Sequence, residues 1–279
     1  KKKTMTLIKK ASYVPVGNNL KKAMAFAPSL DPNYFSKVKM QRPQGYINPL
    51  DTIETLQKEG WFLEGVSEQR NSDRKVELSQ VRMYHPDIAM KKPGGKLEGT
   101  SNLYVSNNLR KTEMELFLGL YRLVCSNGLV RYSGDRFMVQ REEDIDSTLN
   151  RVEGEANKMI QEFQELKEHE LSLVIQEQLA KEALNVRFSG EAVRNIDHRQ
   201  LLVARRDDDQ GNNVWVNYNR MQEALIKPNM LKTKSGMNIS GVYDIQANMD
   251  INTRLYEKVV KPFCLSRAGC GSVTWSRTR

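Results

Sequence analysis

The apolar pattern changes period once along the chain, and this switch constrains the fold more than any motif does. From Asp144 to Leu166, apolar residues recur at Ile145, Leu149, Val152, Ala156, Met159/Ile160, Phe163 and Leu166. Steps of three and four place them on one stripe of a helix of about six turns at 3.6 residues per turn. A second such stretch runs from Leu171 to Val186 through Val174/Ile175, Leu179 and Ala183. With His169 between them, the two are expected to form an antiparallel helical hairpin. Upstream the pattern is that of strands. Trp61 to Gln69 and Val76 to Tyr84 flank the polar Asn71-Ser72-Asp73 as in a β-hairpin. Further strands are expected at Asn102 to Ser106, Glu113 to Val124, Leu129 to Tyr132 and Phe137 to Arg141, with Asn127-Gly128 as a turn.

Before this sheet, Leu20 to Phe26 reads as a helix ended by Pro28, and Asp51 to Glu59 as a helix stopped at Gly60. After the helical pair, Leu201 to Ala204 and Val214-Trp215-Val216 read as strands around the acidic loop Asp207-Asp208-Asp209-Gln210-Gly211. Short helices follow near Arg220 to Lys227 and Asn252 to Val260. The expected class is α+β: a mixed or mainly antiparallel sheet, a protruding helical hairpin, and a smaller C-terminal α/β portion. The divisions are a basic N-terminal arm at 1–45, a β-rich core at 46–141, the acidic hairpin at 142–188, the α/β portion at 189–263 and a basic, disordered tail at 264–279. A chain of 279 residues buries a sizeable core without staples.

Charge is segregated along the chain. Lys1 to Arg42 holds ten Lys/Arg and one acid, whereas Glu142 to Glu182 holds twelve acids and four bases. The net charge of +9 is therefore basic ends around an acidic middle, an arrangement suited to an acidic partner on one face. No apolar run approaches the roughly 18–20 residues of a membrane span. Lys9 and Lys10 interrupt the start before a secretory signal pattern can form. Three cysteines (Cys125, Cys264, Cys270) fit a reducing cytoplasm better than secretion.

Motifs for catalysis are sparse. His85, His169 and His198 share no ligand spacing, and the cysteines lack the companion pair of a zinc site. No phosphate-cradling GxxxxGK[ST] or GxGxxG occurs. Asp207-Asp208-Asp209 offers carboxylates to a hard cation but lacks the spaced ligands of a calcium loop. No catalytic residue, metal site or cofactor is assigned. Bases interleaved with aromatic residues say more: Lys9, Lys10 and Tyr13; Lys37, Lys39, Arg42 and Tyr46; Arg82, Tyr84, Lys91, Lys92 and Lys96. Such cations neutralise phosphates, and tyrosines stack on unpaired bases. Without a helix-turn-helix, zinc-finger or RRM signature, sequence-specific reading of a duplex is not expected.

Three blocks carry a family resemblance. They are Asn48-Pro49-Leu50-Asp51-Thr52-Ile53 through Gly60-Trp61-Phe62 to Gln69-Arg70, then Gly119-Leu120-Tyr121-Arg122-Leu123-Val124-Cys125-Ser126-Asn127-Gly128-Leu129, then Val214 to Glu223 with the Asn252-Thr253-Arg254-Leu255-Tyr256 helix. In these the chain resembles a phage- and plasmid-encoded family with a domain of unknown function. The family carries a histidine in an asparagine-rich segment, where Ser106-Asn107-Asn108 has none. By analogy the resemblance implies DNA handling on a mobile element, supporting replication or recombination. Arg122, Trp215 and Arg220, polar or aromatic within apolar blocks, join the expected nucleic-acid set. The expected function is non-enzymatic, single-strand-preferring DNA binding, with self-association through the helical hairpin. The alternatives are a module that docks on a host protein to antagonise defence, and a metal-dependent hydrolase or nuclease using the Asp207 to Asp209 loop.

Overall fold

The computed structural model describes residues 13–71, 73, 75–91, 94–95, 97–109, 114–122, 127–130, 137–139 and 145–265. The fold is α+β, and the chain divides into two compact units. Unit 1 comprises residues 1–160 with 243–246, and unit 2 comprises 161–242 with 247–279.

Unit 1 is built on an antiparallel sheet. Its strands are β1 (Val14–Pro15), β2 (Phe62–Arg70), β3 (Val76–Lys91), β4 (Leu97–Asn108), β5 (Met114–Arg122), β6 (Asn127–Val130) and β7 (Phe137–Val139). They lie in the order β1-β2-β3-β4-β5-β6, with β7 also pairing with β5. Register follows the apolar alternation. Leu63 pairs with Met83, Met83 with Leu103 and Leu103 with Leu118, while Val66, Val81, Val105 and Leu116 form the adjacent row. All eight are buried, so one sheet face is a continuous apolar layer. β3 extends seven residues past the expected Tyr84 by taking Pro86 into an irregularity between His85 and Ala89. Proline has no donor for the ladder, and a register shift is where a strand tolerates it. Asn127 and Gly128, expected as a turn, are paired in β6 with Arg122 and Tyr121.

Helices α1 (Leu20–Phe26), α2 (Tyr34–Lys37) and α3 (Pro49–Lys58) belong to the same unit. Asn19 caps α1 through Lys22 N–H, and Asn48 caps α3 ahead of Pro49 at its first position. Both α1 and α3 pack on β2, burying Ala23, Ala27, Ile53 and Leu56.

Helix α4 (Ile145–Glu165) has residues in both units, and α5 (Leu173–Arg187), α6 (Glu191–Arg194) and α7 (Val214–Ile226) follow in unit 2. α8 (Ile245–Leu255), a π-helical turn at Tyr256–Val260 and α9 (Lys261–Leu265) close the described chain. Both helices of the expected hairpin form. Yet α5 is packed into unit 2 against α7, the 3-10 turn at His198–Leu202 and the π turn, rather than standing out as a hairpin arm. Leu179, Ala180, Ala183 and Leu184 are buried there. The link between α4 and α5 is tied down as well: Leu171 N–H donates to Asn212 O and Val214 N–H to His169 O, each at 3.0 Å.

Among its described residues the 189–263 portion carries helices, with its internal β pairing confined to the antiparallel bridges Ile196–Thr233 and Lys232–Asn238. Val214-Trp215-Val216 opens α7 because Asn213 accepts from Val216 N–H at 2.9 Å, and this cap overrides the strand propensity of two valines. Leu201 to Ala204 falls on the 3-10 turn, capped by Asp197. No helix among the described residues is long and apolar enough to cross a membrane.

Candidate nucleic-acid interface

A groove of about 480 Å³ lies in unit 1 between α1, α2 and the turn that joins β2 to β3. Its walls are Met24, Ala25, Pro28, Tyr34, Val38 and Met40, and its charged groups are Asp31, Lys37, Arg70 and Lys75. Short-range geometry explains why these residues converge. The 3-10 turn Pro28–Leu30 is pinned to β2 by Ser29, whose N–H and Oγ donate to Glu68 Oε1 at 2.9 and 2.6 Å. Asp31 then starts α2, accepting from Asn33 N–H at 2.8 Å. Lys39 ends it in the left-handed region at φ 52°, which lets Met40 N–H turn back to Phe35 O at 2.9 Å. That reversal brings Met40 onto the groove wall.

The segment after α2 is anchored through Tyr46. Its hydroxyl accepts from Asn107 Nδ2 at 2.8 Å, and its ring meets Phe35 edge-on at 4.8 Å. Burial pushes the Tyr46 hydroxyl up to about 12. Arg42 stays exposed, donating to Tyr46 O at 2.9 Å with its guanidinium 5.4 Å from that ring. The charges of the groove are unequal in availability. Lys37 pairs with Asp31, and Arg70 pairs with Glu68 at 2.7 Å. Among the described residues Lys75 forms no ion pair, nor do the exposed Lys21, Lys22 and Lys39.

Of the residues expected from sequence, Lys37 lines this groove, while Lys39 and Arg42 are exposed on the segment that follows α2. Lys91 is exposed at the end of β3. Tyr84 is half-buried and stacked on Phe62 at 5.5 Å. Lys9, Lys10, Lys92 and Lys96 lie outside the described residues, as does the side chain of Arg122, whose backbone pairs with Gly99 and Asn127. Arg82 is a correction: it is 8 % exposed, paired with Glu64 at 2.6 Å, and its guanidinium sits 3.9 Å from the Tyr13 ring. Its charge is compensated inside the unit and has no reach to a phosphate.

Trp215 and Arg220 are corrected on the same ground. Trp215 is 1 % exposed with its ring 5.2 Å from Phe163, so no base can stack on it. Arg220 is buried and donates to the carbonyls of Asp209 and Gly211, at 2.7 Å from Nε and 2.8 Å from Nη2 respectively. It staples the acidic loop to α7. The loop is structural too: Asp209 is 2 % exposed and accepts from Arg206 at 3.0 Å, and Arg206 also pairs with the buried Glu223. Burial pushes the Glu223 carboxyl up, but hydrogen bonds from Arg206 and Lys227 outweigh it and hold the group below its ordinary value. Among the described residues, no group of three or more His, Cys, Asp or Glu is placed to hold a metal ion.

Sequence reasoning missed Met24, Tyr34, Met40, Arg70 and Lys75. A partial signal existed on α1, where Lys21 precedes Met24 by three residues and so shares its side of the helix. For Arg70 and Lys75 there was none, because only the tertiary fold brings the hairpin turn beside α2.

Two curated proteins of Escherichia coli (strain K12) are similar to this chain. The UPF0380 protein YfjQ is 27 % identical and the UPF0380 protein YafZ 28 % identical, each over 208 residues that cover 70 % of this chain and 71 % of the relative. No solved structure matches. The family model described as "Domain of unknown function (DUF932)" matches residues 45–243, which takes in strands β2 to β7, α7 and the Arg70–Lys75 side of the groove but begins after β1, α1 and α2. The chain belongs to this family of unknown function.

Proposed function

We propose that the chain binds single-stranded nucleic acid, DNA foremost, through the cationic face formed by α1, α2 and the β2–β3 turn. The observation that carries this reading is a groove with apolar walls lined by Lys75, in a unit whose exposed Lys21, Lys22, Lys39 and Lys75 form no ion pair among the described residues. A structural salt-bridge surface would pair such charges, as Lys37 and Arg70 are paired. Unpaired cations over sheltered apolar area instead suit a polyanion with exposed bases. No reacting group is assigned, and the role is binding. The phage or plasmid setting comes from the family resemblance, and action in a bacterial cytoplasm is part of the same reading.

A labelled oligothymidylate titrated with the full chain across a salt series tests it. About four to six phosphate contacts give a slope of log K against log salt near −3 to −4, from about 0.7 per contact on single strands. Absence of binding at low salt refutes the proposal.

A second reading, docking of a host protein, has its own observation. Leu173 and Val174 are 66 % and 76 % exposed at the start of α5, directly after the acid-rich stretch Glu165 to Glu170. A pull-down partner lost on Leu173→Ser/Val174→Ser supports that reading.

A further inference from the structure

We infer that the groove between α1, α2 and the β2–β3 turn takes one unstacked nucleotide of a bound strand, with the base against Met24, Val38 and Met40 and a phosphate at Lys75. This rests on the single-strand reading above and assigns it a place and a reason for its preference.

Size comes first. The groove encloses about 480 Å³, within the roughly 300–1,000 Å³ of small-ligand sites. A single base with its sugar and phosphate is a ligand of that size class.

The chemistry agrees with that occupant. Two of the walls are thioether side chains, Met24 and Met40, both partly buried and adaptable, and sulfur contacts to an aromatic ring are favourable at about 5 Å. Val38 and Ala25 add exposed apolar surface, while Tyr34 closes the floor with its ring nearly buried. The one acid, Asp31, is held by Lys37, and the Arg70 partner Glu68 is also bound by Ser29. That leaves Lys75 as the lining cation without a carboxylate among the described residues. An apolar slot with one unneutralised ammonium at its rim matches a base carrying one phosphate charge. A paired base cannot enter such a slot without leaving its stack. Selection for single strands then follows from the groove, which the surrounding lysines alone do not provide.

The test compares an oligothymidylate with a strand of equal length and phosphate number built from abasic sites, both against the full chain. We expect the abasic strand to bind about tenfold more weakly. Met24→Ala/Met40→Ala should abolish that difference while keeping the salt slope, and Lys75→Ala should flatten the slope by about 0.7. Val38→Glu, at a position 41 % exposed and so harmless to folding, should weaken the natural strand more than the abasic one. Equal affinity for both strands, or discrimination that survives Val38→Glu and the methionine pair, overturns the groove assignment and leaves the broader reading standing. Failure of either strand to bind at low salt removes both. Tight capture of an acidic amphipathic peptide without base discrimination overturns the assignment in favour of a protein occupant.

Discussion

Replacing Glu223 by Gln tests whether the third resemblance block serves as scaffold. Glu223 sits on α7 at 2 % exposure, accepting from both terminal nitrogens of Arg206 and, at 2.8 Å, from Lys227 Nζ. Glutamine keeps the shape and one oxygen but removes the charge, while Arg206 keeps its pair with Asp209 at 3.0 Å. Breaking a fully buried pair costs about 3–5 kcal/mol. Here the two cations are each 29 % exposed and keep part of their hydration, so the loss is reduced to about 2–3 kcal/mol. For a chain of this size that lowers Tm by about 4–10 °C. The pH dependence gives a second handle. The folded pKa of Glu223 lies below its ordinary 4.5, so its contribution is complete above that value and is lost as pH falls through the folded pKa. Urea unfolding should therefore show the full gap between the two proteins at neutral pH, closing as pH falls below the ordinary 4.5 and through the folded pKa. A gap that is zero at neutral pH, or that stays constant into acid, refutes the ion-pair account.

Two further substitutions separate scaffold from surface. A Cβ on Gly65 would lie 2.3 Å from the Tyr13 ring, so Gly65→Ala should displace Tyr13, forfeit its contact with Arg82 and cost about 1–2 kcal/mol. Faster hydrogen exchange at Val16 and Asn18, whose N–H groups bond to β2, would report the loosened edge, and unchanged exchange would contradict it. Lys39→Gly removes a left-handed lysine and should raise stability by about 0.5–1 kcal/mol while weakening strand binding, a dissociation that a purely structural Lys39 would not show.

Where neighbouring residues decide an element, the sequence was legible. α1 spans Leu20–Phe26 as expected, since Asn19 and Pro28 frame it within one heptad's length. The same holds for α4, whose apolar stripe became the buried row Leu149, Val152, Ala156, Met159 and Phe163. The β2–β3 hairpin was legible from its alternation. Legibility failed where a cap and burial outvoted composition. Val214-Trp215-Val216 has strand-forming residues, yet every residue from Val214 to Leu225 is buried and Asn213 supplies the helix start. Asparagine pairs such as Asn212-Asn213 mark turns as readily as caps, so the local signal pointed both ways.

The candidate site was legible only in part, for a reason that concerns charge pairing. A sequence shows that a lysine is present but not whether the fold supplies it with a carboxylate. Arg82 and Lys39 both looked like phosphate contacts, and the fold separates them. Eighteen positions earlier in the chain, Glu64 lies across the β2–β3 pair from Arg82 and neutralises it at 2.6 Å, whereas Lys39 forms no ion pair among the described residues. The excess of bases in the first forty residues therefore overstated the number of usable cations and misplaced some of them. What the sequence could not show is that the hairpin turn returns Arg70 and Lys75 to Met24 of α1 and to Met40 just past α2, from thirty or more residues away. Unpaired charge and sheltered apolar surface become a binding site only when they are adjacent, and adjacency here is a property of the β2–β3 register, not of any stretch of sequence.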